Sequence, residues 1–287
     1  MAAQKKAYIF ALSAVLMWST VATAFKIALS EFPPELMLFY ASSSASILLF
    51  VIYYFDKHAP KLSYNDFRKS SISGLFNPFI YYLVLFEAYN LLPAQIAQPL
   101  NYTWPIVLTI FSAIVFKEKL KIGIWIGLSV SFIGVILISW QGASFGPLSN
   151  LGIFLALGSS IIWSIYWILN MKDQRANSLK LFTNFLLGSL FIFTYLLITD
   201  VPFLFSTKGL LSSIYIGFFE MGITFFVWMK ALSLSQQTAK INNLVFLSPF
   251  ISFFFIALIL KENIQFMSVL GLIIIILGIL LQKIIKK

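Results

Sequence analysis

Apolar runs about twenty residues long follow one another almost from end to end of this 287-residue chain. A bilayer core about 30 Å thick needs roughly 20 apolar residues to be crossed as a helix. The runs fall near 7–28, 34–55, 70–89, 94–116, 121–140, 150–171, 180–199, 207–230, 237–260 and 264–283. They are too long, and lack the strict alternation, for strands of a transmembrane barrel. Charged residues make up only 10% of the chain, against roughly a quarter in a soluble protein. The pattern predicts an all-α membrane protein with ten transmembrane helices.

The formal charge of +10 would suit nucleic acid if it formed a patch, but it is scattered over short loops. Lys5 and Lys6 precede the first span, and Lys57, Lys61, Arg68 and Lys69 separate the second from the third. Lys117, Lys119 and Lys121 lie between spans four and five, Lys172, Arg175 and Lys180 between six and seven. Lys230 ends the eighth span, and Lys283, Lys286 and Lys287 end the chain. All of these fall on one side of a ten-span topology, leaving Lys26, Lys208 and Lys261 opposite and Lys240 within a span. The positive-inside rule then places both termini in the cytoplasm of a multi-pass protein of the inner (plasma) membrane. Lys5-Lys6, an apolar run and Ala22-Thr23-Ala24 imitate a signal peptide. The run is long for one, and cleavage would destroy the repeat described next, so the segment is read as a retained first helix. The chain has no cysteine and a single histidine, His58 in a loop, so thiol chemistry and Cys or paired-His metal sites are excluded.

The sequence repeats itself at an offset of 144–145 residues. Ala11-Leu12 and Trp18-Ser19 recur as Ala156-Leu157 and Trp163-Ser164; Pro105 recurs as Pro249, and Lys117-Glu118 as Lys261-Glu262. Gly127 and Gly134 recur as Gly271 and Gly278. The expected organisation is a first repeat at 1–144 and a second at 145–287, five spans each. Five is odd, so the second repeat starts on the opposite side and the two form an inverted-topology pair. Loop charge agrees: Lys117-Glu118-Lys119-Leu120-Lys121 becomes Lys261-Glu262-Asn263-Ile264-Gln265, losing two lysines where the loop is expected outside. Inverted repeats imply alternating access, and the loops are too short for a soluble catalytic domain.

Polar groups within membrane helices are costly and face the protein interior or a water-filled path. The fourth span carries Gln98, Asn101 and Pro105 on a common face; the ninth carries Asn242, Asn243, Ser248 and Pro249. A proline leaves a carbonyl without its helical partner, so Pro105 and Pro249, in matching positions, are candidate hinges. Glu220 lies near the middle of the eighth span and is the candidate for binding a substrate amine or coupling to protons. Glu87 lies near the outer end of its span, and Lys26 and Lys240 are close enough to the surfaces to snorkel. Among many aromatic residues, Trp18, Tyr81, Tyr82, Tyr102, Trp104, Trp163 and Tyr166 sit beside these polar positions. Such rings can stack on an aromatic or apolar substrate while amides hold its polar end; each also suits plain packing. Gly123, Gly127, Gly134, Gly271 and Gly278 suit close helix packing.

These motifs resemble the drug/metabolite transporter superfamily, in its ten-helix EamA branch, over essentially the whole chain. The resemblance rests on Trp18-Ser19, the paired prolines, both Lys-Glu pairs and the glycines after them. Asn101-Tyr102-Thr103-Trp104-Pro105, with Ile162-Trp163-Ser164-x-Tyr166 and Asn170-x-Lys172, is similar to stretches of the bacterial aromatic amino-acid exporters. It implies ten helices around a central cavity lined by spans 1, 3, 4, 6, 8 and 9. Glu220 departs from the aromatic exporters, and the first span lacks the glutamate of the small four-helix multidrug relatives. The expected function is export of amino acids, aromatic or apolar, or related small metabolites by alternating access. Substrate contacts fall to Trp18, Tyr82, Asn101, Trp163, Tyr166 and Asn242, and amine binding or proton coupling to Glu220. Another metabolite or a drug is the alternative cargo. A membrane enzyme or a structural partner fits less well, because the acids are dispersed. The expected partners are the bilayer and a small molecule, with no cofactor and no nucleic acid; the oligomeric state is left open by the sequence, a monomer being one plausible form.

Overall fold

A computed structural model describes residues 2–115, 117, 122–139, 148–235, 241 and 244–284. Asn242, Asn243, Lys240 and Glu118 lie outside the described residues. Every regular element among the described residues is a helix. Six helical stretches are long and apolar enough to cross a membrane: Ala3–Leu29, Pro34–Phe55, Tyr64–Leu91, Asn150–Lys172, Asn177–Ile198 and Thr207–Leu234. Shorter apolar helices cover Trp125–Ile138, Leu244–Leu260 and Phe266–Leu281.

In chain order the helices are α1 (Ala2–Leu29), α2 (Pro34–Phe55), α3 (Tyr64–Gly74), α4 (Tyr81–Leu91), α5 (Ala94–Asn101), α6 (Trp104–Val115), α7 (Ile122–Ser139) and α8 (Asn150–Lys172). They continue as α9 (Asn177–Ile198), α10 (Thr207–Leu234), α11 (Leu244–Leu260) and α12 (Phe266–Ile284). Local chemistry sets the starts. Pro34 occupies the first turn of α2, where its missing N–H costs nothing. Asp66 accepts from the Ser63 backbone N–H at 2.9 Å at the start of α3. Ser149 and Ser206 accept from Gly152 N and Gly209 N at the starts of α8 and α10, satisfying backbone donors that have no intrahelical partner.

The chain packs as two compact units, Met1–Phe79 with Gln174–Leu260, and Ile80–Asp173 with Lys261–Lys287. Each draws helices from both sequence halves, so packing does not follow the 1–144 and 145–287 division. In the first unit α1 lies against α10 and α11, and α2 against α9 and α10. Gly74 of α3 and Gly188 of α9 set a close crossing there: a Cβ on Gly74 would lie 2.6 Å from the Asn184 carbonyl oxygen, and one on Gly188 would strike the Pro78 ring. In the second unit α7 packs along α12 and α8 against α4, α5 and α6. The repeated glycines mediate the first of these contacts. A Cβ on Gly134 would lie 2.6 Å from the Gly271 carbonyl oxygen, and one on Gly278 2.5 Å from that of Gly127.

One expectation needs correcting. The predicted fourth span, 94–116, is not continuous: α5 ends at Asn101 and α6 restarts at Trp104. Pro105 cannot donate to the Asn101 carbonyl and its ring would clash with it. The last turn of α5 tightens instead, with Tyr102 N–H on Gln98 O at 3.0 Å and Thr103 N–H on Leu100 O at 3.3 Å. Gln98 and Asn101 therefore share a face that Pro105, in the first turn of α6, does not continue.

The Lys-Glu repeat has a backbone counterpart. Lys117 and Lys261 take φ of 56° and 58°, just after α6 and α11 end. In both copies the lysine adopts the left-handed conformation that closes a helix C-terminus.

Candidate substrate-contacting residues

In the second unit, aromatic side chains from α4 and α8 converge. Tyr81 stacks on Trp163 with ring centroids 4.5 Å apart and planes 29° from parallel. Tyr82 meets Tyr81 edge-on at 4.7 Å, and Tyr166 flanks Trp163 at 5.6 Å. Asn101, at the end of α5, ties this layer to the polar seam of α8: its Nδ2 donates to Ser159 Oγ at 2.8 Å, and its Oδ1 accepts a long 3.5 Å bond from Tyr81 OH. Ser160 and Ser164 extend the seam, bonded to Thr103 Oγ1 and to the Trp104 carbonyl oxygen. Tyr82, Asn101, Trp163 and Tyr166 are thus brought together, and Tyr81 joins them as their hub. Pro105 lies in the first turn of α6 in the same unit.

The first unit holds Trp18, Glu220 and Pro249. Trp18 of α1 packs on Trp228 at 5.3 Å and meets Phe225 at right angles at 6.2 Å, both from α10. Its neighbours continue the α1–α10 contact: Thr20 Oγ1 and Tyr215 OH are 2.6 Å apart, and Thr224 reaches Met17 Sδ at 3.6 Å. Ser19 Oγ lies 3.4 Å from Ser248 Oγ, beside Pro249 in the first turn of the Ser248–Phe255 segment. Glu220 is half-buried and falls within a π-helical turn, Gly217–Gly222. Such turns insert one residue into a helix and are frequent at functional sites. Here Gly217 and Gly222 admit the close approach of Ala41 and Ser44, and of Leu48, on α2. Thr224, four residues further on, touches Met17 of α1.

Sequence reasoning passed over Phe225, Trp228, Tyr215 and Thr20. The first two are apolar residues in an apolar helix, where nothing distinguishes a ring facing α1 from one facing lipid. Trp18 and Trp163, repeat counterparts, each lie in an aromatic cluster, one in each unit. Asn242 lies outside the described residues.

Polar ties also mark the two ends of α2. Near its start, Glu31 accepts from Ser206 Oγ at 2.7 Å and from Lys208 Nζ at 2.9 Å. These bonds, the lysine first, hold the Glu31 carboxyl below its ordinary pKa. At its end, Asp56 accepts from Ser178 Oγ at 2.6 Å and from the His58 backbone N–H at 3.1 Å, which together hold its pKa down. Beside it Arg175 bonds the Asp66 carbonyl oxygen and Ser70 Oγ, each at 2.8 Å.

Long apolar helices joined by short loops, with polar seams inside, define a multi-pass membrane protein. The profile of the EamA-like transporter family matches residues 5–140 and again 150–282, and the chain belongs to that family. It is 25% identical over 271 residues to the uncharacterized transporter YvbV of Bacillus subtilis, covering 93% of this chain and 88% of that one. An uncharacterized transporter of Clostridium kluyveri is 26% identical over 288 residues, covering 96% and 92%. The aromatic amino acid exporter YddG of Ancylobacter novellus is 26% identical over 161 residues, 55% of each chain. One crystal structure superimposes over 99% of both chains with a TM-score of 0.69 at 19% identity, a likeness of fold.

Proposed function

We propose that this chain exports amino acids, aromatic or apolar ones, from the cytoplasm by alternating access between two inverted repeats of five spans each. The observation that supports this is an aromatic cluster in each unit, around Trp18 in the first and around Trp163 in the second, with the half-buried carboxylate of Glu220 in the first unit. Flat rings offer stacking surfaces to an apolar side chain, and a half-buried carboxylate offers a charge-assisted partner to an ammonium group. The helix restart at Pro105, and the change within α11 from a 3-10 turn to α-helix beside Pro249, supply points at which half-helices can pivot. Similarity to an aromatic amino acid exporter over part of the chain supports the substrate class.

The test is counterflow: purified protein in liposomes loaded with one amino acid, assayed for uptake of each labelled amino acid, with and without a pH gradient. Exchange of aromatic or apolar amino acids is expected, and exchange of none of the twenty would end the assignment. A different metabolite or a drug is the second reading, since the relatives matching most of the chain are transporters of unstated cargo. Rescue of cells from toxic amino-acid analogues, compared with rescue from hydrophobic cations, separates the two.

A further inference from the structure

Asn101 and Gln98 lie one turn apart on the same face of α5, yet their amides are in opposite states. Asn101 is 7% exposed, and both ends of its amide are occupied, one by Tyr81 OH and the other by Ser159 Oγ. Ser159 in turn donates to the Ala156 carbonyl oxygen at 2.7 Å. Each end of the Asn101 amide thus already has a protein partner, and through its oxygen Asn101 bonds Tyr81, the ring stacked on Trp163. Gln98 is 3% exposed, and its Oε1 is buried without a donor from the protein. In the same layer, Trp167 stands at 86° to Trp163 with centroids 5.9 Å apart. Its indole Nε1 is also buried without an acceptor. Buried polar atoms are nearly always paired, so exceptions call for a cause. Here an acceptor one helical turn from the residue that bonds Tyr81, and a donor on a ring packed against Trp163, are both unsatisfied by the protein.

We infer that Gln98 is a specificity-determining residue: its Oε1 accepts a hydrogen bond from the ring N–H or O–H of an aromatic amino acid, selecting tryptophan and tyrosine over phenylalanine. The inference rests on the aromatic branch of the function proposed above. One helical turn rises 5.4 Å, a step comparable to the width of an aromatic ring. Asn101, which bonds Tyr81 OH, therefore sets Gln98 one such step from the Tyr81–Trp163 layer. A neutral amide oxygen suits a neutral ring donor; an ammonium gains more from a carboxylate, because charge-assisted bonds are the stronger. Asn101 is a positioning residue, acting through Tyr81. A site that hydrogen-bonds a ring donor rejects the analogue lacking it, because its own buried group is then left unpaired.

The test uses the full chain in proteoliposomes and compares tryptophan, tyrosine, phenylalanine and 1-methyltryptophan, whose ring nitrogen carries no proton. The expected result is a kcat/KM for tryptophan and tyrosine about tenfold above that for phenylalanine and 1-methyltryptophan, the worth of one hydrogen bond. Gln98→Met should collapse that ratio towards one. Asn101→Ala should lower all four substrates in parallel, without changing the ratio. Ratios do not depend on how much protein folds, and Gln98→Leu, which likewise removes the amide oxygen, takes the place of Gln98→Met if that variant yields none. Equal handling of all four by the wild type, or a parallel loss of all four in Gln98→Met, would overturn the role of Gln98 while leaving the exporter assignment standing. Exchange of no amino acid at all would remove both.

Discussion

A carboxylate in mid-span has few ways to be tolerated: a partner, a proton or water. Glu220 was visible in the sequence as the acid farthest from either predicted surface of its span. Its setting in a π-helical turn was not, because no proline or polar run marks Gly217–Gly222. If its carboxylate meets the substrate amine or a coupling proton, Glu220→Gln keeps the shape and removes the charge. Exchange should then fall by roughly tenfold or more, as expected for losing a charge-assisted bond, and its pH dependence should flatten. Wild-type rates and pH profile in Glu220→Gln would leave the residue a purely structural role. Asp56, outside the spans, makes a different prediction. The Ser178 hydroxyl and the His58 N–H hold its folded pKa below the ordinary value, near 3.9 in the unfolded chain. A depressed carboxylate stabilises above the unfolded pKa, and that contribution is lost as pH falls through the folded one. Ser178→Ala should therefore lower Tm at pH 7 by about 1–2 °C, on the scale of one partly exposed polar contact. The difference from wild type should shrink once the pH drops below about 4. A Tm difference that stays constant with pH would show that Ser178 acts by packing instead.

Two glycines of the second unit set opposite signs on the same substitution. Gly134 meets α12 so closely that a Cβ would lie 2.6 Å from the Gly271 carbonyl oxygen and 2.9 Å from the Ile275 backbone nitrogen. Backbone cannot step aside as a side-chain tip can, so Gly134→Ala should cost about 1–3 kcal/mol. Gly158 of α8 has nothing within 4 Å of where its Cβ would stand, so Gly158→Ala should be neutral or stabilise by up to about 1 kcal/mol. Thermal unfolding in detergent reads both, and equal shifts would mean that the α7–α12 crossing is not set by its glycines. This crossing was legible from the sequence, since Gly127, Gly134, Gly271 and Gly278 repeat at one spacing. The interruption before Pro105 was half legible: proline announced a kink, but only the Tyr102 and Thr103 bonds show that the helix stops and restarts. The Tyr81–Trp163 stack and the Trp18–Trp228 pair join residues from distant helices, and periodicity within one helix holds no information about its neighbour.

Within the first unit, α2 (Pro34–Phe55) runs between two anchored ends. One gathers Glu31, Ser206 and Lys208; the other gathers Asp56, Asp66, Arg175 and Ser178. Glu31 and Arg175 are themselves 144 residues apart, the offset of the repeat. Each follows the first span of its half and fastens the start of a helix belonging to the other half, Glu31 that of α10 and Arg175 that of α3. The Arg175 end carries Lys57, Lys61, Arg68, Lys69 and Lys180, while the Glu31 end carries Lys26 and Lys208. The positive-inside rule predicts that the Arg175 end faces the cytoplasm. The absence of native cysteine makes this directly measurable, because any introduced thiol is the only one to react. His58→Cys, in the exposed turn after α2, should resist a membrane-impermeant maleimide in intact cells and label only after permeabilisation. Phe205→Cys, at a position 78% exposed before α10, should label in intact cells. The reverse pattern would invert the whole protein in its membrane, and labelling of both from outside would place the two ends of α2 on one face and remove the topology on which alternating access depends.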